Sequence, residues 1–444
     1  MSILVKNGWI ITHDQGNNVI KNGGLYIEND KIIEVGTTSD LESKYSSSDE
    51  IIDAAGRVVM PGFICSHMHF YSAFATGMPL DPFPPGFHNV LKHLWWKLDK
   101  ALTKDDVYFS ALLGYIQAVR SGTTSVIDHH ASPSYISGSL DQIEKAGREL
   151  GVRSNLCYEV TDRNGKEGAE KGLNENQRYL KKISNSKDDL FSGLVGLHAS
   201  FTLRDDSLNQ AKEIMDEFQT GIHVHVAEGT VDGEDADKKY RSTPIQRLDR
   251  FGLLNDKSVV AHCIHLEETD YPIIKERNVN VAHQPRSNMN NAVGCINLEK
   301  MEEYGISVGM GTDGMSSDMK PEVMVGSLLQ KHQRQDNTIG MMEAYNALIH
   351  QNPIIYEKIT GLKLGKLMPN YKADIVISSY RPKTPLNSDN VAGHVMFGII
   401  NEPVNTTIIE GHLRMSENNI LGIDERSIND KSMELAQAVW DRID

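Results

Sequence analysis

Residues 1 to about 57 alternate apolar and polar positions between turn signals: Ile3 and Val5, then Asn22-Gly23-Gly24, Leu25-Tyr26-Ile27, Asn29-Asp30, Lys31 to Val35 and Gly36. A period of two punctuated by Gly, Asn and Asp predicts short antiparallel strands. The same texture returns at 373–377 and 405–412, so the two ends of the chain are expected to build one small β domain, residues 1–57 with 362–444. The stretch between them, 58–361, reads differently. Short apolar strands alternate there with helix-length amphipathic segments, which predicts a parallel sheet with helices outside it. Eight strands are counted, at 58–64, 123–128, 153–158, 194–197, 221–227, 258–261, 278–282 and 306–311. That is the number that closes an α/β (β/α)8 TIM barrel. An open doubly wound sheet competes, but no GxGxxG or GxxxxGK[ST] turn follows the early strands, so its phosphate-cradling form has no support.

Composition narrows the partners. The 444 residues carry 45 Lys and Arg against 60 Asp and Glu, a net charge of −15, which argues against nucleic acid or an anionic membrane as the main partner. No apolar run approaches the roughly 18 residues that a membrane span needs. The segment Met1 to Gly8 enters strand-like alternation without the features of an export signal. Cys65, Cys157, Cys263 and Cys295 lie far apart with no CxxC pair. They are expected to be reduced core thiols of a cytoplasmic protein.

Histidine placement changes the picture most. Ten of the 17 (His67, His69, His129, His130, His198, His223, His225, His262, His265 and His283) fall at or just beyond the ends of the expected strands. In a TIM barrel those ends converge on the face where active sites are built. In His67-Met68-His69, residues i and i+2 of extended chain project to one side, so both imidazoles can reach one ion. Alone, that pair is a weak signal. With His223-Val224-His225-Val226-Ala227-Glu228 and Gly311-Thr312-Asp313-Gly314 at two further strand ends, accident becomes improbable. Three histidines and Asp313 make an N3O set suited to Zn2+, with Fe2+ as the alternative. A divalent ion with an open position lowers the pKa of a water from ~15.7 toward about 7, which provides hydroxide at neutral pH. No lysine follows the second or fourth strand to form a bridging carbamate, so one metal is expected rather than two.

Other residues carry two readings. Glu228 is a proton shuttle or a helix N-terminal carboxylate. His262 is a holder of the reactive water or a core histidine. His129 and His130 line a pocket, bind a second metal or sit behind the first ligands. His223 is placed behind His225, which alone has the HxxE spacing. Trp95 and Trp96, with Phe83 and Phe87, wall an aromatic pocket or pack as ordinary helix residues. The charged run 232–239 is expected to be a solvated loop or mobile flap rather than a binding patch.

These residues resemble the amidohydrolase superfamily, in its cytosine, guanine, S-adenosylhomocysteine and chlorotriazine deaminase branch. The matching motifs stand in order: Pro61-Gly62-Phe63-Ile64-Cys65-Ser66-His67-Met68-His69, His225-Val226-Ala227-Glu228, Ala261-His262-Cys263 and Gly311-Thr312-Asp313-Gly314-Met315-Ser316-Ser317. Within the branch, the SsnA-like aminohydrolases are the nearest resemblance. It is carried by Leu94-Trp95-Trp96-Lys97-Leu98-Asp99, Asp128-His129-His130-Ala131-Ser132, Leu197-His198-Ala199-Ser200-Phe201-Thr202 and the segment Ser287 to Gly294.

The resemblance implies a distorted (β/α)8 barrel with a β-sandwich built from both termini. It implies metal ligands His67, His69, His225 and Asp313, proton carriers Glu228 and His262, and a substrate contact at His198. Trp95, Trp96, His129, Asn288 and Arg286 are further candidate substrate contacts, with Ser317 and His223 behind the first layer. Three departures stand out. Asn370 replaces the usual Gly in Met368-Pro369-Asn370-Tyr371-Lys372-Ala373-Asp374, and Asn tolerates the left-handed backbone needed there. Gln284 and Arg286 differ from the commoner forms of their motif, which leaves open whether Arg286 meets a substrate carboxylate. The loop 77–86 lacks the Glu-Asp pair of adenosine-type relatives, which counts against a nucleoside.

The expected activity is hydrolytic deamination of a small nitrogen-rich heterocycle. Hydroxide adds to the carbon bearing the amino group, Asp313 and His262 take up the water proton, Glu228 protonates a ring nitrogen, and ammonia leaves. Ring opening of a cyclic amide or ureide is the alternative, and a catalytically silent metal-binding barrel a more distant one. The expected partner is the small molecule alone, with a homodimer left open.

Overall fold

The computed structural model describes residues 1–80 and 82–443. Asp81, in the loop 77–86, and Asp444 lie outside them. The N-terminal alternation becomes three antiparallel strands, β1 (Ser2–Ile11), β2 (Val19–Glu28) and β3 (Lys31–Thr37), with β4 (Glu50–Asp53) and β5 (Val58–Pro61) laid parallel to β1.

The barrel strands follow: β6 (Phe63–Met68), β7 (Thr123–His130), β8 (Arg153–Tyr158), β9 (Phe191–Gly193), β10 (Val195–Ala199), β11 (Ile222–Val226), β12 (Val259–His262), β13 (Asn280–His283) and β14 (Val308–Met310). The C-terminal strands are β15 (Ile375–Ser378), β16 (Val404–Ile409), β17 (His412–Ser416) and β18 (Asn419–Ile420).

The two ends of the chain share one mixed sheet, β18-β17-β16-β15-β5-β1-β2-β3, with β4 on β1. This sheet curls over its own core of Ile3, Val5, Leu25, Ile27, Ile375 and Ile408. Its β3 edge meets the segment before β15, where Ile32 N donates to Tyr371 O at 2.9 Å and Ala373 N to Asp30 O at 2.8 Å. Asn370 adopts the left-handed conformation there, at φ 70°.

The single strand expected over 58–64 is two strands in two sheets: β5 pairs with β1 and β15, and β6 with β7. The chain changes sheet at Gly62, where a Cβ would lie 2.2 Å from Thr124 Cγ2, so no larger residue fits the crossing.

The parallel strands form two arcs, β6-β7-β8-β9 and β10-β11-β12-β13-β14. Bridges Val160↔Leu197 and Met68↔Asp313 close the ring. At the second seam Thr312 N donates to His67 O at 2.9 Å, and Gly311 approaches so closely that a Cβ would sit 2.5 Å from that oxygen. Strands β6, β7 and β8 are buried along their whole length, as expected where both faces are covered. The helices outside bury one stripe each, as Ser139–Leu150 does with Leu140, Ile143, Ala146, Gly147 and Leu150.

Two further segments differ from expectation. Residues 232–239 belong to a helix, Thr230–Tyr240. Buried Asp232 in its first turn accepts from Ala227 N at 3.0 Å and Phe201 N at 3.1 Å, so the acidic run begins pinned to two neighbouring segments rather than as a free loop. The C-terminal part is not all β. Its last helix, Glu425–Asp441, docks on the barrel, where Trp440 Nε1 donates to Phe74 O at 2.7 Å.

Arg153 joins barrel to terminal sheet. It is fully buried on β8, with Nε 3.0 Å from Asp374 Oδ2 and Nη1 donating to Asp189 O at 3.0 Å. Arg153→Met leaves the buried Asp374 carboxylate without its cation and is expected to cost about 3–5 kcal/mol, read as a lowered urea denaturation midpoint.

Candidate metal centre and active site

The barrel seams bring four distant residues together. His67 lies in β6 and His69 just past it, His225 in β11, and Asp313 at the crossover after β14. Asp313 Oδ1 is 3.0 Å from His69 Nε2 and 3.6 Å from His67 Nε2, and His225 Nε2 is 3.2 Å from His69 Nε2. One donor atom from each of the four falls within 4.8 Å of the others.

Their outer nitrogens fix the tautomers. His69 Nδ1 donates to His129 O at 2.5 Å and His225 Nδ1 to His198 O at 2.8 Å, so both Nε2 lone pairs point inward. His67 Nδ1 meets His223 Nε2 at 2.8 Å, which is the place His223 takes behind the set. His67 Nε2 is buried with no hydrogen-bond partner. Three inward imidazole lone pairs and a carboxylate oxygen, one donor left orphaned, fit a single divalent ion such as Zn2+ or Fe2+.

Without an ion, a proton shared between His69 and Asp313 takes the place that a divalent cation would fill. Burial pushes His67 down to about 3 and holds His225 well below the imidazole range. Burial also acts to lower His69, but the hydrogen bond and charge of Asp313 outweigh it and hold it up at about 9. Asp313, whose burial alone would raise it, is kept well below the carboxylate range by His67 and His69. It is ionised and its imidazole neighbours compete for it.

Beside this cluster stands a second carboxyl group of opposite character. Burial, then the charge of Asp313, raises Glu228 well above the usual range. His262 Nε2 lies between the two acids, 3.4 Å from Glu228 Oε2 and 3.9 Å from Asp313 Oδ2. The His262 Nδ1 hydrogen is held by Asn288 Oδ1 at 3.1 Å, so Nε2 is free to accept. Ser287 Oγ donates to Asp313 Oδ2 at 2.5 Å, and Asn291 Nδ2 reaches Glu228 Oε1 at 3.5 Å. Ala227, His262, Cys263 and Asp313 all take left-handed backbone, with φ of 51°, 73°, 52° and 55°.

Trp95, Trp96, Tyr71 and Leu91 wall the cleft above these groups, with His198 on the rim of β10. His198 Nδ1 is anchored to Thr202 Oγ1 at 2.7 Å.

Several expected contacts are placed differently. His129 is fully buried and does not line the cleft; its Nε2 faces Leu197 O and His223 O, each at 3.1 Å. Asn288 is likewise buried and acts on His262. Arg286 turns away, its Nε donating to Glu322 Oε1 at 2.6 Å and Nη2 to Ser316 Oγ at 2.6 Å, because a buried carboxylate competes for it. Ser317 is held by its backbone against Gln117 and Thr123, away from Asp313. His130 bonds Ser132, and His265 is exposed.

Sequence reasoning missed Glu159 and Asn291, which both line the cleft. Glu159 directly follows β8, so the strand-end rule applied to the histidines would have found it.

The profile of the Amidohydrolase family matches residues 58–414. The 5-methylthioadenosine/S-adenosylhomocysteine deaminase of Syntrophomonas wolfei subsp. wolfei is 32% identical over 448 residues, covering 98% of this chain and 99% of that one. The 5'-deoxyadenosine deaminase of Methanosarcina mazei is 28% identical over 449 residues, 99% of each. In fold, the chain is similar to a zinc-bound adenosine deaminase from Xanthomonas campestris, with TM-score 0.86 at 19% identity and 98% of both chains covered. With the profile spanning the barrel and relatives aligned nearly end to end, the chain belongs to the amidohydrolase family.

Proposed function

We propose that the protein is a metal-dependent hydrolytic deaminase that removes an amino group from a small nitrogen heterocycle as ammonia. The observation that carries this reading is the pairing of opposite carboxyl groups: Glu228 kept protonated and Asp313 kept ionised, bridged by His262 beside three inward imidazole nitrogens. In this reading His67, His69, His225 and Asp313 hold the ion. A bound divalent ion supplies Lewis acidity that lowers the pKa of a water from ~15.7 toward about 7.

The chain's own groups handle the protons and the ring. Trp95 and Trp96 stack the planar heterocycle and keep bulk water off its face. Asp313 Oδ2 and His262 Nε2 accept the proton given up by water. Glu228 gives its proton to the ring nitrogen next to the attacked carbon, removing the charge that addition would otherwise leave there. His262 then returns a proton to the amino group, which departs as ammonia, and the added hydroxyl gives its proton to Glu228 as the C=O bond forms. The deaminase names of the relatives support ammonia release over ring opening. Their substrates place adenosine-type compounds in the first screen, although loop 77–86 counts against them. The chemistry resides in the barrel from β6 to β14, with the terminal sheet, which includes β5, as its support.

The test is ammonia release from purines, pteridines and triazines by zinc-loaded protein, with product mass separating exchange of the amino group from addition of water. Glu228→Gln is expected to lower kcat about 10²- to 10⁴-fold with metal content unchanged, since it removes the acid but no ligand. Chelation is expected to abolish turnover and lower the melting temperature, because the ion binds the folded state, and one equivalent of zinc per chain restores both.

A further inference from the structure

We propose that Glu159 is the specificity-determining residue of this cleft, selecting heterocycles that carry a ring N–H beside the amino-bearing carbon. The inference rests on the deaminase reading and names its substrate class. Glu159 is buried at the end of β8, yet it lines the cleft with His69, His198 and His225. His129 Nδ1 lies 3.2 Å from Oε2. Arg163 Nη2 and His198 Nε2 stand 3.9 Å and 4.0 Å from Oε1, beyond hydrogen-bond reach, so that oxygen keeps accepting capacity for a ligand.

The carboxylate is clamped from behind. His129 spends its other nitrogen on two backbone carbonyls, which turns Nδ1 toward Glu159. Arg163 pairs with Asp99 on the helix Trp96–Ala101 and lies 5.1 Å from the Trp96 ring centre, tying the cover of the cleft to the same spot.

Position supplies the rest. A Glu159 oxygen lies within 4.8 Å of donor nitrogens on His69 and His225, while Glu228 approaches the Asp313 side of the centre through His262. A planar ring with its amino carbon at that centre presents two ring neighbours of the carbon. Glu228 protonates one of them; Glu159 calls for a hydrogen-bond donor at the other. Guanine, isocytosine and pterin have an N–H there, whereas adenine-type rings have a carbon. An anionic ring is disfavoured by the carboxylates of Glu159 and Asp313, with Arg286 turned away.

The test uses zinc-loaded Glu228→Gln protein, in which turnover is slow enough for binding to be measured by calorimetry. The ligands are isocytosine and pterin, their ring-N-methylated derivatives, and adenosine. Ammonia release by the wild-type enzyme is followed on the same panel. Ring N–H ligands are expected to bind about 100-fold tighter than the methylated ones and adenosine. Adding Glu159→Gln should collapse that ratio to below about 10-fold, because an amide can donate as well as accept. Glu159→Asp, a second variant in case the first does not fold, should keep the preference with weaker binding. Equal binding of methylated and unmethylated ligands, or a preference unchanged by Glu159→Gln in folded, zinc-loaded protein, overturns the role of Glu159. Selective binding with no ammonia from any ligand overturns the deaminase reading and leaves Glu159 as the selector.

Discussion

Everything at the mouth of this barrel depends on three imidazole rings being turned the same way. A histidine offers a lone pair inward only if its other nitrogen gives its hydrogen to something outside, and here each ring does so by a different route. His69 uses a backbone carbonyl of β7, His225 a carbonyl of β10, and His67 the ring of His223. Two of the acceptors are strand carbonyls and the third is a strand side chain, so closing the barrel and orienting the ligands are one event. The seam Met68↔Asp313 then delivers the carboxylate from the far end of the sequence.

The second requirement is that two carboxyl groups a few ångströms apart behave oppositely. Asp313 is surrounded by imidazoles and a donating serine, whereas Glu228 has one hydrogen bond, from the Asn291 amide at 3.5 Å, and one imidazole, His262, at 3.4 Å. The same low-polarity environment therefore produces an anion and an acid, because the hydrogen bonds are distributed unequally.

Much of this was legible in the sequence. The run of parallel strands, the joining of the two ends and the convergence of His67, His69, His225 and Asp313 follow from periodicity and from what stands at strand ends, although the strand expected at 194–197 is two, β9 and β10. What stayed hidden depends on contacts that no local pattern records. Arg286 looked free for a substrate because nothing in its own motif shows that Glu322, 36 residues on, is buried beside it. His129 faced inward as expected but serves Glu159 rather than the cleft. The break at Gly62 was invisible because two strands in different sheets run on as one apolar stretch. Glu159 was passed over because the strand-end rule was applied to histidines alone, although it stands directly after β8. The run 232–239 was misread because its charges pair along a helix, as Asp235 does with Lys239 at 2.7 Å.

The left-handed residues at Ala227, His262, Cys263 and Asp313 have a consequence for how such a molecule can change over generations. Side-chain-bearing residues in that region cost about 1–3 kcal/mol each and persist only where their surroundings over-determine them. Outlying helices and connecting loops can lengthen, shrink or drift without touching this ring of constrained peptides. New chemistry in a lineage built on this frame would therefore be acquired by exchanging the cover and walls, while the rim itself stays frozen.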